Sequence, residues 1–265
     1  MRVGVGVGVP FFGRNSVPIP LTVGTPVLWL DSSVLSSLYQ DSARTTPVTA
    51  NADPIGAWSD LSGSGNHAVQ ATAGARPTYV TSGISSLPSV ALDGTDDFLG
   101  TANSLSLAAC TLFIVAKCTT AGDYKGVFRW ATLPSSTDNN GVVIQNLSAT
   151  WMVTNPAADL GNIITYSPTP GAAEIFQDTT QWSGSHGSRV QRRNQAAMTV
   201  VADNNAFGYT APTGSKPVQL GLGYTGFGNI PWNGQLAEVL IYASVLSDAN
   251  RLIIEQYLKA KWSTP

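Results

Sequence analysis

Charge is what this sequence has least of: Lys, Arg, Asp and Glu make up 11% of 265 residues and leave a net −2 at neutral pH. A nucleic-acid binder gathers basic residues on one face or in one tract, so DNA and RNA are not expected partners. The densest basic run is Arg189, Arg192 and Arg193. It reads as a solvated strand or hairpin edge; contact with an acidic neighbour is the sharper alternative. No apolar stretch approaches the ~18 residues that a membrane helix needs, so no membrane partner is expected. The run Val3–Val9 is too broken by glycine for the core of a secretion signal, and no small-residue cleavage site follows, so Sec export is not expected either. Disorder is also excluded, because seven Trp and eight Tyr are far more aromatic surface than a disordered chain carries.

Cysteine and histidine are equally scarce, at two each. Cys110 and Cys118 flank the run Thr111–Lys117. If that run is one strand, they lie about 26 Å apart at ~3.3 Å per residue, too far for a disulfide. Two free thiols are expected, which suits a reducing cytoplasm. Two histidines cannot make a His-rich metal centre, and the cysteine spacing fits no zinc motif. No cofactor or metal is expected. His67 sits in a Gly-Asn-His turn and reads as structural. His186 lies at a loop tip, and no Gly-x-Ser-x-Gly elbow exists to pair with it.

What is abundant is turn formers and strand formers. Gly and Pro number 26 and 16, and hydrophobic residues reach 43%. Short strands are read at Val27–Leu30, Trp58–Leu61, Pro88–Asp93, Phe98–Leu99, Gly126–Trp130, Gly141–Ile144 and Trp151–Val153. Others follow at Arg189–Arg193, Met198–Val201, Val218–Leu222 and Leu236–Tyr242. Leu112–Ala116 is apolar without interruption, the mark of a strand buried on both faces. Strands this numerous between turn clusters predict a sandwich or barrel. One helix is expected, last in the chain: Ser247 caps it, Asp248 opens it, and Ile253, Ile254, Tyr257, Leu258 and Trp262 follow helical spacing.

Residues 1–25 differ from the rest. Val and Gly alternate from Val3 to Val9, and Pro10, Pro18 and Pro20 follow. Alternation gives a strand period with one valine face and one bare face. Proline confines such a segment to edge or extended conformations. It reads as an extended arm docked on its own domain or on a neighbour, with Val3, Val5, Val7, Val9, Phe11 and Phe12 as its contact residues.

Three segments carry a resemblance. They are Trp58-Ser-Asp-Leu-Ser-Gly-Ser-Gly-Asn-His-Ala68 with Arg76-Pro-Thr-Tyr79; Leu87-Pro-Ser-Val-Ala-Leu-Asp-Gly-Thr-Asp-Asp-Phe-Leu99; and Asn233-Gly-Gln-Leu-Ala-Glu-Val-Leu-Ile-Tyr242 with the helix ending at Trp262. In order and spacing the chain resembles the concanavalin A-like, laminin-G-like jelly-roll superfamily, in the form found in tailed-phage virion proteins and bacterial surface proteins. The resemblance implies an all-β antiparallel β-sandwich over residues 26–265, with its helix at 247–262 and the arm at 1–25 in front. Its motifs read mainly as structure. Ser62–Asn66 is a tight turn, and Glu238 is expected to face outward or pair locally.

The family's glycoside hydrolases resemble one another in a Glu-x-Asp-x-Glu strand, which puts carboxylates on one face. This sequence has no such run, and Glu174 with Asp178 lacks the middle acid. No catalytic residue is assigned, and the chain is expected not to be an enzyme. Asp96 and Asp97 read as an Asp-rich turn, with a calcium loop as the alternative. Tyr224, Phe227, Asn229 and Trp232 cluster in a Gly-rich loop and offer aromatic and amide groups to a glycan; the alternative is that Trp232 plugs the core. The first functional expectation is a structural protein of a phage virion. It would be a capsid decoration or cement protein, or another head- or tail-surface component, held through its arm to the major capsid or tail protein and itself oligomeric. Its place would be the virion, assembled in the host cytoplasm. The second expectation is a carbohydrate-binding adhesin module on a virion or cell surface, with glycans as partners.

Overall fold

The computed structural model describes residues 17–119, 125–131, 142–147, 150–154, 162–205, 214–225 and 228–265. Strand Ala109–Cys118 organises the rest. Leu112, Ile114 and Ala116 point to one side, into a core shared by two sheets. Phe113 and Val115 point to the other, into a second core beneath the terminal helix. This is why its apolar run is unbroken. Cys110 and Cys118 lie at its two ends, both buried and neither in a disulfide.

The sheets are antiparallel throughout the described pairings. In the first, the strands follow the order Ala196–Ala197, Val190–Arg193, Ile175–Ser183, Ala109–Cys118, Asn233–Tyr242, Leu87–Asp93, Thr78–Ile84. Leu28–Asp31 also joins this sheet, through Asn233–Tyr242. That strand changes partners midway. Asn233–Leu236 pairs with Val90–Asp93, and Glu238–Ile241 pairs with Leu28–Asp31. The bulge between Leu236 and Glu238 marks the switch, and Ser32 ties it by donating through its backbone N–H and its hydroxyl to the Ala237 carbonyl. The second sheet has ten strands, running from Thr199–Asn205 at one edge through Lys125–Trp130 to Leu38–Tyr39 at the other. The chain is a β-sandwich with one long helix, as its motifs imply. No helix among the described residues is long and apolar enough to cross a membrane.

The Trp58–His67 motif is a turn built around one carboxylate. Asp60 Oδ1 accepts from the N–H groups of Trp29 and Ser62, and Oδ2 accepts from the Ser62 hydroxyl and the Asn66 N–H. Gly63 and Gly65 take the positive φ values that this loop requires. His67 Nδ1 accepts the Asp60 N–H at 3.0 Å, and burial lowers its pKa. It is a brace of the turn.

The helix spans Asp248–Trp262, and the Ser247 hydroxyl accepts the Asn250 N–H. Its buried stripe is Ile254, Leu258 and Trp262, with Tyr257 partly covered. Ile253, expected in the stripe, is exposed instead. The charged residue Glu255 takes a buried place, accepting from the Thr179 hydroxyl and from Arg251. Glu238 corrects a second expectation. It faces away from the intersheet core, but the helix covers it completely. Oε1 accepts from Trp29 Nε1 and the Tyr257 hydroxyl, both at 2.9 Å. Oε2 accepts from Lys261 Nζ at 2.8 Å and Trp262 Nε1 at 2.7 Å. Lys261 also pairs with Asp31. A buried carboxylate is tolerated because every lone pair has a donor.

The last residues assigned to the arm belong to the body. Ile19–Thr22 forms one helical turn, with Pro at its start where the missing N–H costs nothing. The Tyr242 hydroxyl donates to the Pro20 carbonyl at 2.6 Å, and Asn250 Nδ2 donates to the Val23 carbonyl. Val3, Val5, Val7, Val9, Phe11 and Phe12 lie outside the described residues.

The basic run is not a solvated edge. Arg193 is buried between the sheets and grips Asp178 with two bonds of 2.8 Å. Its guanidinium lies 4.7 Å from the Phe176 ring centroid. Arg189 is buried as well, and Arg192 reaches Gln181 and Asp248. Asp178 is therefore committed to an ion pair, while Glu174 accepts the Gly171 N–H in a loop. The two do not form a catalytic pair.

Candidate functional site

Two features meet at one end of the sandwich. The first is a hairpin, Leu222–Thr225 with Gly228–Pro231, laid over strand Lys125–Trp130. The backbones touch: a Cβ on Gly126 would stand 1.9 Å from the Gly223 nitrogen, so only glycine fits. Arg129 fills the seam and is fully buried. Its Nε donates to Gln219 Oε1 at 2.6 Å; its Nη1 donates to the Gly223 carbonyl at 3.2 Å and to Asn229 Oδ1 at 2.9 Å. Asn229 itself is exposed, so a buried cation fixes the orientation of a surface amide.

Of the four residues read as a glycan cluster, Tyr224 and Asn229 are register partners in the hairpin, while Trp232 turns inward. Asn229 is at the surface. Tyr224 lies in the hairpin strand, its side chain outside the described residues, as is Phe227. Trp232 is 1% exposed and meets Phe176 edge-on, with centroids 6.2 Å apart. Its ring is a plug of the intersheet core and presents no face to a sugar. His186 has its side chain outside the described residues.

The second feature is the turn Asp93–Asp97. Asp93 ends strand Leu87–Asp93 opposite Asn233, two residues past the end of the hairpin. Gly94 takes a positive φ, and the chain folds back so that Asp97 Oδ2 accepts the Asp93 N–H at 3.0 Å. Asp93 Oδ1 accepts the Thr95 N–H. Asp93, Asp96 and Asp97 each offer one oxygen, all within 4.8 Å of one another. Asp93 and Asp96 are exposed and Asp97 is buried. Sequence reasoning named Asp96 and Asp97 but left out Asp93. The spacing i, i+3, i+4 across a glycine turn was the available signal. Three carboxylate oxygens could supply part of the shell of about six to eight oxygens that Ca²⁺ takes.

Burial raises the Asp97 pKa from the ordinary 3.8 to about 6, helped by Asp93 and Asp96 and opposed by the Asp93 N–H. As pH rises from about 4 to 6, the unfolded chain gives up this proton first, so the folded state loses stability across that window. Asp97→Asn keeps the acceptor and removes the titration. The variant should gain in melting temperature relative to the parent as pH rises through the window. Melting curves of both proteins from pH 4 to 7 check this, and parallel pH profiles would contradict it.

No protein-family model matches the chain, and no curated protein does. Solved structures do. An arabinofuranosidase complexed with arabinofuranosyl-α-1,2-xylobiose is similar at a TM-score of 0.63 and 15% identity, over 89% of this chain and 63% of that one. A GH54 α-L-arabinofuranosidase soaked with a cyclic sulfate inhibitor is similar at 0.60 and 14%, with the same coverage. A Trypanosoma rangeli sialidase is similar at 0.54 and 11%, over 98% of this chain and 36% of that one. The chain thus spans 63% of the length of these arabinofuranosidases. At such identities the likeness is one of fold: this is a jelly-roll β-sandwich.

These matches correct the expectation that the chain is not an enzyme. Arabinofuranosidases and a sialidase share its fold, so the architecture does not argue against catalysis. The missing Glu-x-Asp-x-Glu strand tests only one way of pairing carboxylates. A turn can bring acids together as closely, as Asp93–Asp97 does.

Proposed function

We propose that this chain engages carbohydrate at the end of the sandwich where the Asp93–Asp97 turn meets the hairpin carrying Asn229. The observation that carries the reading is the convergence of three carboxylate oxygens within 4.8 Å, two of the residues being exposed, next to the root of that hairpin. Sugar hydroxyls are donors that carboxylates accept, and a pinned amide both donates and accepts. The structure of a fold relative with a bound arabinofuranosyl oligosaccharide supports the same ligand class. A glycan array followed by calorimetry, with and without Ca²⁺, tests it. Binding that falls at least about tenfold, or 1.4 kcal/mol, in Asp96→Asn or Asn229→Ala supports the site. An empty array, or binding untouched by both variants, removes it.

One observation favours a second reading, hydrolysis of the glycan. Asp97 holds a proton to about pH 6 while the exposed Asp93 and Asp96 offer carboxylates beside it. Two carboxyls in unlike environments, about 5 Å apart, are what a retaining glycosidase needs. Product analysis on arabinose-containing oligosaccharides decides it. Release abolished by Asp97→Asn and by Asp93→Asn is the expected result, and no release from any substrate leaves binding alone.

A further inference from the structure

The last turn of the helix brings a lysine against two carboxylates of the first sheet. Lys261 Nζ contacts Asp31 Oδ2 and lies 2.8 Å from Glu238 Oε2. The side chains of Asp31 and Glu238 are 4% and 0% exposed, and that of Lys261 is 19% exposed. Aromatic rings close around the ammonium: Nζ is 5.0 Å from the Trp262 ring centroid and 5.5 Å from that of Tyr257.

The two carboxylates are held differently. Besides Lys261, Glu238 accepts from Trp29 Nε1, the Tyr257 hydroxyl and Trp262 Nε1. Asp31 Oδ1 accepts the Ser33 N–H at 3.0 Å and the Ser33 hydroxyl at 2.6 Å, while Oδ2 has Lys261 as its one donor among the described residues. One Asp31 oxygen is thus steadied by two donors, and the other faces only the amine. Acyl transfer needs the same parts: donors at the oxygen that gathers charge, a nucleophile in contact with the acyl group, and a proton acceptor beside the nucleophile.

We propose that Lys261 and Asp31 condense into an intramolecular amide, with Glu238 as the proton carrier. Glu238 takes a proton from the ammonium, and the freed lone pair of Nζ forms a bond to Asp31 Cγ. Charge gathers on the Asp31 oxygens, and Ser33 donates to Oδ1 as it does so. Glu238 passes its proton to Oδ2, and a second proton follows from Nζ by the same route. The Cγ–Oδ2 bond breaks and water leaves on the exposed side of Lys261. One ammonium and one carboxylate become one amide and one water, and Glu238 ends as the carboxylate it was. No further reactant is consumed. Burial favours the step, because it penalises the ion pair relative to the neutral amine and acid that react. Groups held in contact react as if at roughly 10⁵–10⁸ M. Burial also raises the Glu238 carboxyl, which suits it to hold a proton in transit. The product keeps its partners: the amide N–H faces Glu238 Oε2, and Oδ1 still accepts from Ser33. The bond ties the first strand to the last helix in a chain whose two cysteines are in no disulfide.

Mass spectrometry of the full chain, folded and then denatured, tests the proposal. The expected mass lies below that of the sequence by one water, and digestion should yield a branched peptide joining Asp31 to Lys261. Lys261→Arg keeps the charge and should return the full sequence mass, as should Glu238→Gln, with far-UV circular dichroism to establish that each is folded. Asp31→Asn should still close, releasing ammonia in place of water. A folded parent at full sequence mass overturns the proposal. So does a branched peptide that carries Glu238 in place of Asp31, or a cross-link that forms undiminished in Glu238→Gln.

Discussion

A chain ending at Leu252 should fail to hold the sandwich together. Ile254, Leu258 and Trp262 are all fully buried beneath the helix, and each contributes about 1.5–3 kcal/mol by burial alone. Together they amount to roughly 5–9 kcal/mol, comparable with the ~5–15 kcal/mol that holds a typical domain folded. The loss does not stop there. Three of the four donors to Glu238 come from Tyr257, Lys261 and Trp262. Without them a carboxylate in the middle of the first sheet keeps only Trp29. Asp31 loses Lys261 at the same moment. Phe113, Val115 and Leu240 would face water. Circular dichroism melts of the full and shortened chains check this, and an unchanged melting temperature would show that the helix is a passenger. Trp262→Ala is the milder form of the experiment, at about 3–5 kcal/mol.

The legible parts of the fold were those where one residue type answers one physical demand. The run Leu112–Ala116 is apolar at every position because it is covered on both faces. The terminal helix announced itself through Ser247 and the spacing of Ile254, Leu258 and Trp262. The Trp58–His67 turn was readable from its glycines, although not the role of Asp60 at its centre. Strand Ile175–Ser183 was not read at all. Gln177, Asp178, Thr179, Thr180 and Gln181 are polar in sequence, and yet all are buried. Their partners lie at Gln191, Arg193, Glu255, Thr111 and Leu246, on other elements. A buried polar strand can be recognised only with its partners in view, because an unpartnered one would not be stable there. The same reason hid the character of Arg189–Arg193, the neighbouring strand. Ile253 was misplaced because Glu255, with Thr179 and Arg251 waiting for it, takes the buried position.

The candidate site shows the same division. The acids of the Asp93–Asp97 turn are close in sequence, so their meeting was partly foreseeable. Arg129 was visible as a lone charge in an apolar strand, but its partners Gln219, Gly223 and Asn229 are 90 to 100 residues away. Trp232 stands among glycines, which left two readings open, a surface aromatic and a core plug. It turns inward because Asn233–Tyr242 starts immediately after it and faces Phe176 across the core.

Breaking the Asp178–Arg193 pair should be nearly as damaging as losing the helix stripe. Both side chains are almost wholly buried, and the two contacts of 2.8 Å make a planar fork. Burial pushes the Asp178 carboxyl up, and Arg193 holds it against that pressure. Arg193→Met therefore leaves a carboxylate between the sheets with Gln191 Nε2, at 3.1 Å, as its remaining side-chain donor among the described residues. The expected cost is about 3–5 kcal/mol. Asp178→Asn should cost less, because an amide accepts from Arg193 without carrying charge, although it strands a guanidinium. The double variant is the informative one. Once both charges are gone, desolvation no longer opposes burial, and a Met beside Phe176 packs well. Its stability should exceed that expected from summing the single losses by at least about 2 kcal/mol. Urea denaturation of the four proteins measures that coupling. Single variants within about 1 kcal/mol of the parent would mean that the pair is solvated in solution, and the polar interior at this edge of the sandwich would then be open to water.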